Sequence, residues 1–160
     1  MTPDEYCQQK AAQSGSSFYY SFLFLPPPRR RAITALYAFC REVDDTVDET
    51  GDPQVARARL DWWRSEIDRL FAGQPQHPVT LALAPHLQNC SIDHPALMAI
   101  VDGMQMDLEQ SRYLDFAALK RYAHLVAGVV GEISAAVFGY SDPRTLEFAG
   151  RLGLALQLIN

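Results

Sequence analysis

Residues 37–49 read Tyr-Ala-Phe-Cys-Arg-Glu-Val-Asp-Asp-Thr-Val-Asp-Glu, with five carboxylates between Glu42 and Glu49. At about 100° per residue, Tyr37, Arg41, Asp44 and Asp48 fall within a roughly 60° sector of one helix face, with Asp45 just beside it. A helix gains nothing from this arrangement alone. Asp is a poor helix former, Asp44 and Asp48 are like charges one turn apart, and the group sits towards a helix C-terminus, where the macrodipole disfavours anions. A bound cation would relieve all three problems. The apolar residues Leu36, Phe39, Cys40, Val43 and Val47 centre on a neighbouring stripe, so the carboxylates flank the core-facing side. Arg41 is the only base among positions 37–49, whereas a solvated face would mix in Lys. Carboxylates at this spacing suit Mg²⁺, which takes oxygen ligands, keeps several waters and bridges protein to phosphate. Arg41 adds a bidentate phosphate donor and Tyr37 a hydroxyl.

Three other groups invite attention. Asp102, Gln105 and Glu109 share a face near Asp107, as a polar outer surface or as a second acidic constellation. Ala123, Ala127, Gly128 and Gly131 leave one side of a later helix nearly bare. This suits either close helix packing or a wall with room for a long apolar ligand, because glycine costs about 1 kcal/mol in a helix interior and needs a reason to be there. Arg29, Arg30 and Arg31 follow three prolines at a helix N-terminus, as solvated charge or as a contact for a diphosphate or an anionic lipid surface. His124 reads as a structural or surface histidine.

The elements that must position these residues are helical. A short helix opens at Asp4 and ends near Gly15. Residues 16–22 are Ser- and aromatic-rich and could pass for a strand by propensity. The acidic helix runs from about Pro28 to Glu49, and another from about Pro53 to Ala72. Shorter helices are expected near 79–90 and 94–111, a long one from about Asp115 to Phe138 closed by Gly139, and a last one from Asp142-Pro143 that is still running at Asn160. The pattern is all-α in a single domain.

Composition bounds the rest. The chain has 160 residues, 48% hydrophobic and 21% charged, with net charge −5. That balance argues against general nucleic-acid binding. Cys7, Cys40 and Cys90 form no CxxC pair and read as thiols of a reducing compartment. Without a visible signal sequence, a cytoplasmic location is expected, with peripheral membrane contact left open. Phosphate-loop, GxSxG and zinc signatures are absent from the sequence.

Taken together, these residues resemble the squalene/phytoene synthase family of head-to-head prenyltransferases. Residues 37–48 look like its first aspartate-rich motif, Tyr122 to Gly131 like its central-helix signature, and Leu152 to Asn160 like the start of its second aspartate-rich motif. Ser17-Phe18 resembles its N-terminal substrate contact. Within the family, residues 6–26 look most like the bacterial presqualene diphosphate synthases of hopanoid biosynthesis.

The resemblance implies an isoprenoid synthase-type helical bundle around a central apolar cavity, of which residues 1–160 are the N-terminal part. It implies Mg²⁺-dependent condensation of two farnesyl diphosphates to presqualene diphosphate, or, as an alternative, phytoene formation from two geranylgeranyl diphosphates. Asp44, Asp48 and Asn160 would hold the metal, and Tyr37 and Arg41 would act with those aspartates in catalysis. Ser17, Phe18, Tyr37, Arg41, Asp45, Tyr122, Ala127 and Gln157 would contact substrate. Family members continue past the position of Asn160 into the acidic residues that complete the second motif. The chain is therefore expected to be a truncated form ending inside that motif. A non-catalytic fragment holding half of the metal site, prone to self-association, is the third reading.

Overall fold

The computed structural model describes residues 1–110 and 112–159. Among them, regular structure is helical throughout: α1 (Pro3–Gln13), α2 (Ser17–Phe22), α3 (Pro27–Asp48), α4 (Pro53–Phe71), α5 (Pro78–Leu83), α6 (His94–Glu109), α7 (Phe116–Ala123), α8 (Val129–Phe138) and α9 (Arg144–Ile159). The starts are written in side chains. Thr2 and Glu5 close a capping box on α1. Asp52, Asp93 and Asp115 accept the backbone N–H of Gln54, Ala96 and Ala118 at 2.8, 2.8 and 2.7 Å. Each supplies an acceptor to donors that have no partner inside the helix.

The longest of these helices, α3, runs through the middle of the bundle. Pro27 and Pro28 occupy its first turn, where no backbone N–H is needed, and no glycine interrupts it. Leu36, Phe39 and Val43 are fully buried against α4 and α6, whose Leu60, Ile67, Leu97 and Val101 are buried too. The rings of Phe39 and Trp63 meet edge to face, 5.5 Å between centroids. The acidic cluster of residues 42–48 thus stands on an element anchored by fully buried side chains.

Several expectations change. Residues 17–22 are helix, not strand, because Ser16 caps the turn by accepting the N–H of Phe18 at 3.2 Å. The helix expected at 79–90 stops at Leu83 and gives way to a 3₁₀ turn, Ala84–His86, since Pro85 lacks the N–H an α-helix would use. The long helix of residues 116–138 is continuous but contains a π turn at His124–Gly128, a local widening often found at functional sites. Gly139, at φ 82°, closes it.

The bare face of that helix is a crossing point. A Cβ on Gly131 would lie 2.5 Å from the Ala149 carbonyl oxygen, and one on Gly150 would lie 2.6 Å from Glu132 Oε1. A Cβ on Gly153 would run into the Ala127 carbonyl. The small residues let the backbones of α8 and α9 touch. The pairing of Gly131 with Ala149 and of Ala127 with Gly153 makes the two helices antiparallel. Close packing, rather than an open wall, accounts for the glycines here.

Candidate functional site

The carboxylate-bearing end of α3 is threaded by ion pairs. Arg41 donates from Nη1 to Asp44 Oδ2 and from Nη2 to Asp45 Oδ1, each at 2.7 Å. From α1, Lys10 Nζ reaches Asp45 Oδ2 at 2.7 Å and Glu42 Oε1 at 3.2 Å, and the Tyr6 hydroxyl donates to the same Glu42 oxygen at 2.6 Å. Burial pushes the Tyr6 phenol up to about 12, with Glu42 adding to the shift. Desolvation opposes the Lys10 charge, but Asp45 and Glu42 outweigh it and hold the ammonium above its ordinary range.

Asp44 faces the other way. Burial raises its carboxyl pKa; Arg41 pulls it down, and Asp48, Asp45 and Asp107 push it up again, leaving a net rise. Asp107 comes from α6, far away in sequence, where the sequence sets it in the second acidic constellation with Asp102, Gln105 and Glu109 without a role of its own. It also raises the phenol of Tyr122, second only to burial. Tyr113 stacks on Tyr122 with centroids 5.1 Å apart, and its buried hydroxyl has no hydrogen-bond partner among the described residues. The acidic constellation foreseen on α6 is therefore split. Asp102 pairs with Arg64 at 2.9 Å and the Gln105 amide donates to Glu109 at 2.5 Å, both exposed, while Asp107 turns inward. A carboxylate two positions before the end of α6, with Asp102 and Glu109 on the same helix, carries no signal of which way it turns.

The other sequence-chosen residues lie as follows. The Tyr37 hydroxyl donates to Ser14 Oγ at 3.0 Å, another partner the sequence did not suggest. Ser17 and Phe18 are exposed on α2, which docks through Phe22 against the Tyr37 ring. Asp48 is exposed at the last position of α3. The Ala127 backbone lies at the α8–α9 crossing. Gln157 is half-buried one turn beyond Gly153, and the antiparallel register carries it towards α7, which α9 contacts. Asn160 lies outside the described residues. Of the arginine run, Arg30 donates to the Leu25 carbonyl at 3.0 Å, Arg31 stands 3.9 Å from Asp4, and Arg29 packs at Gly139. His124 is exposed.

The donor set at Asp44 fits a water-rich divalent cation. Asp48, Asp45 and Asp107 each make the Asp44 charge less favourable, which is the excess a cation would neutralise. No ready-made group of three ligands exists among the described residues. Mg²⁺ does not need one, since it keeps much of its hydration and takes one or two carboxylates beside substrate phosphates.

A family model described as squalene/phytoene synthase matches residues 11–160. The chain belongs to the squalene/phytoene synthase family. It is 39% identical over 135 residues to the 15-cis-phytoene synthase of Synechocystis sp., covering 84% of this chain and 40% of that protein. It is 36% identical over 160 residues to the chloroplastic phytoene synthase of Narcissus pseudonarcissus, covering 96% and 38%. Among solved structures, the squalene synthase HpnC from Alicyclobacillus acidocaldarius superposes with a TM-score of 0.86 at 28% identity over 98% of this chain and 59% of that one. A dehydrosqualene synthase in complex with ligand superposes at 0.87 with 26% identity, over 98% and 54%. The fold is therefore the isoprenoid synthase type shared by these squalene/phytoene synthase relatives. The chain spans about 40% of the length of the first of these curated relatives.

Proposed function

We propose that this chain carries one side of the active site of a head-to-head prenyltransferase, a transferase that joins two prenyl diphosphates. The observation that carries the reading is the Arg41–Asp44–Asp107–Tyr122 grouping, where a phosphate donor and mutually repelling carboxylates from two helices meet beside a half-buried phenol. Asp44 and Asp48, with Asn160, are the proposed holders of Mg²⁺. When bound there, Mg²⁺ would stabilise negative charge on a departing diphosphate. Arg41 presents a planar fork now satisfied by two carboxylates, and a diphosphate offers the same paired oxygens. Tyr37 stands one turn before Arg41 and adds a hydroxyl, already oriented by Ser14. Ser17, Phe18, Asp45, Tyr122, Ala127 and Gln157 are the proposed substrate contacts.

For the substrate, we read two farnesyl diphosphates joined to presqualene diphosphate, on the resemblance of residues 6–26. A second reading, two geranylgeranyl diphosphates joined to phytoene, is favoured by the two phytoene synthases at 39% and 36% identity. The location proposed is cytoplasmic, with contact at a membrane surface. No helix of the described residues is long and apolar enough to cross one.

Incubation with each diphosphate and Mg²⁺, followed by extraction and mass analysis of the lipid, tests both readings. A C30 cyclopropyl diphosphate supports the first and a C40 hydrocarbon the second. The same assay on a form extended past Asn160 separates an inert fragment from a wrong assignment. No condensation product from either form would sink the prenyltransferase reading.

A further inference from the structure

The carboxylates of α3 have two edges. On one, Asp44 is held by Arg41 at 2.7 Å and feels the charges of Asp48 and of Asp107 of α6. On the other, Glu42, Asp45 and Glu49 line a cavity of about 270 Å³ together with Trp62 and Trp63. Both edges offer acidic oxygen in reach of solvent, so the α3 sequence alone does not decide which one a cation takes. What distinguishes them is a residue from another helix. Lys10 of α1 contacts Asp45 at 2.7 Å and Glu42 at 3.2 Å, and it lines the same cavity.

We propose that Lys10 is a positioning residue that sorts this cluster, neutralising Asp45 and Glu42 so that a divalent cation is held on the Asp44/Asp48 edge. The inference rests on the reading of Asp44 and Asp48 as a metal site. Lys10 acts in two ways. It occupies Asp45 Oδ2, leaving only Oδ1 for Arg41, so the guanidinium is shared between Asp45 and Asp44 instead of closing bidentately on Asp45. It also cancels charge in the Trp-lined cavity, where Glu42, Asp45 and Glu49 would otherwise outnumber Arg59. An ammonium is suited to this role because it is a compact point charge that can serve two carboxylates at once.

Mn²⁺ provides the test, because paramagnetic broadening reports where the ion sits and needs no turnover. In the ¹⁵N-labelled wild-type chain, substoichiometric Mn²⁺ is expected to enhance relaxation more at the amides of Asp107 and Tyr122 than at the indole N–H groups of Trp62 and Trp63, because the effect falls steeply with distance. In Lys10→Met, which keeps the aliphatic stem, that order should reverse. Lys10→Arg should restore the wild-type pattern, and so should neutralising the freed carboxylate in the double variant Lys10→Met/Asp45→Asn. A purely structural role for Lys10 would lower the melting temperature without reversing the order. If Lys10→Met does not fold, Lys10→Gln is read in its place. An unchanged order in the Lys10 variants overturns this inference alone, as does stronger relaxation at the indoles than at Asp107 and Tyr122 in the wild type. No broadening near Asp107 in the wild type overturns the metal reading itself.

Discussion

At the scale of single residues, Asp44 and Glu66 show how the same functional group is put to opposite uses. Glu66 is fully buried on α4. Its Oε1 accepts the N–H of Gln76 and His77 at 2.7 and 2.8 Å and the Thr80 hydroxyl at 2.5 Å, while Oε2 accepts Arg69 Nε at 2.7 Å. Burial raises its pKa, but these donors together reverse the shift and hold it below the ordinary 4.5. Its ionised form is stabilised by the fold, so that contribution is present above the unfolded pKa and is lost as pH falls through the folded one. Glu66→Ala should cost about 3 kcal/mol, because it strands several buried donors. Urea midpoints should show the difference at pH 7 and show it shrinking in acid. Asp44 has no such set of donors, and its carboxyl stands above its ordinary value through burial and like charges. Asp44→Asn should therefore leave the melting temperature unchanged or higher and, on the prenyltransferase proposal, reduce product formation by the active form by about 10²–10³-fold. A large fall in melting temperature would show that Asp44 serves the fold.

At the scale of elements, the α8–α9 crossing is where packing and propensity conflict. Alanine is favoured over glycine by about 1 kcal/mol in a helix interior. At Gly131, however, a Cβ would stand 2.5 Å from the Ala149 carbonyl, a backbone atom that cannot swing aside. Gly131→Ala should thus destabilise by about 1–3 kcal/mol, as overpacking does, and should raise amide exchange along α9. Gly51 has nothing within 4 Å of its Cβ position, so Gly51→Ala should leave the melting temperature nearly unchanged and serves as the control. The glycines were legible in the sequence as an exception needing a reason. The partner helix was not, because a bare face is equally good for a helix or for a ligand until a second backbone occupies it.

At the scale of the whole molecule, α9 buries no residue completely, and Phe148, Leu152, Leu156 and Ile159 are exposed at 66, 46, 44 and 82%. Their spacing puts an apolar stripe along one side of α9, and such a stripe on a soluble protein marks an association surface. The isolated chain should self-associate with rising concentration in sedimentation experiments, and Leu152→Glu should shift it towards monomer. Concentration-independent monomer behaviour of the wild type would show the stripe to be tolerated in water.

The sequence by itself determined most of the helices, through Asp, Ser and Pro at their starts and 3.6-residue periodicity along them, though not α2, the early end of α5 or the π turn at His124–Gly128, and it placed Tyr37, Arg41, Asp44 and Asp48 on one face of α3. Local geometry is sufficient for that, since residues three and four apart on a helix are neighbours whatever the fold. Only the tertiary structure decided what meets that face. Asp107 and Tyr122 come within electrostatic reach of Asp44 because α6 packs on α3 through its buried residues and α7 packs on α6, and Lys10 reaches Asp45 because α1 lies along α3. Charge partners from different helices leave no spacing in the sequence to read, because their distance is set by side-chain packing between elements and not by the number of residues between them.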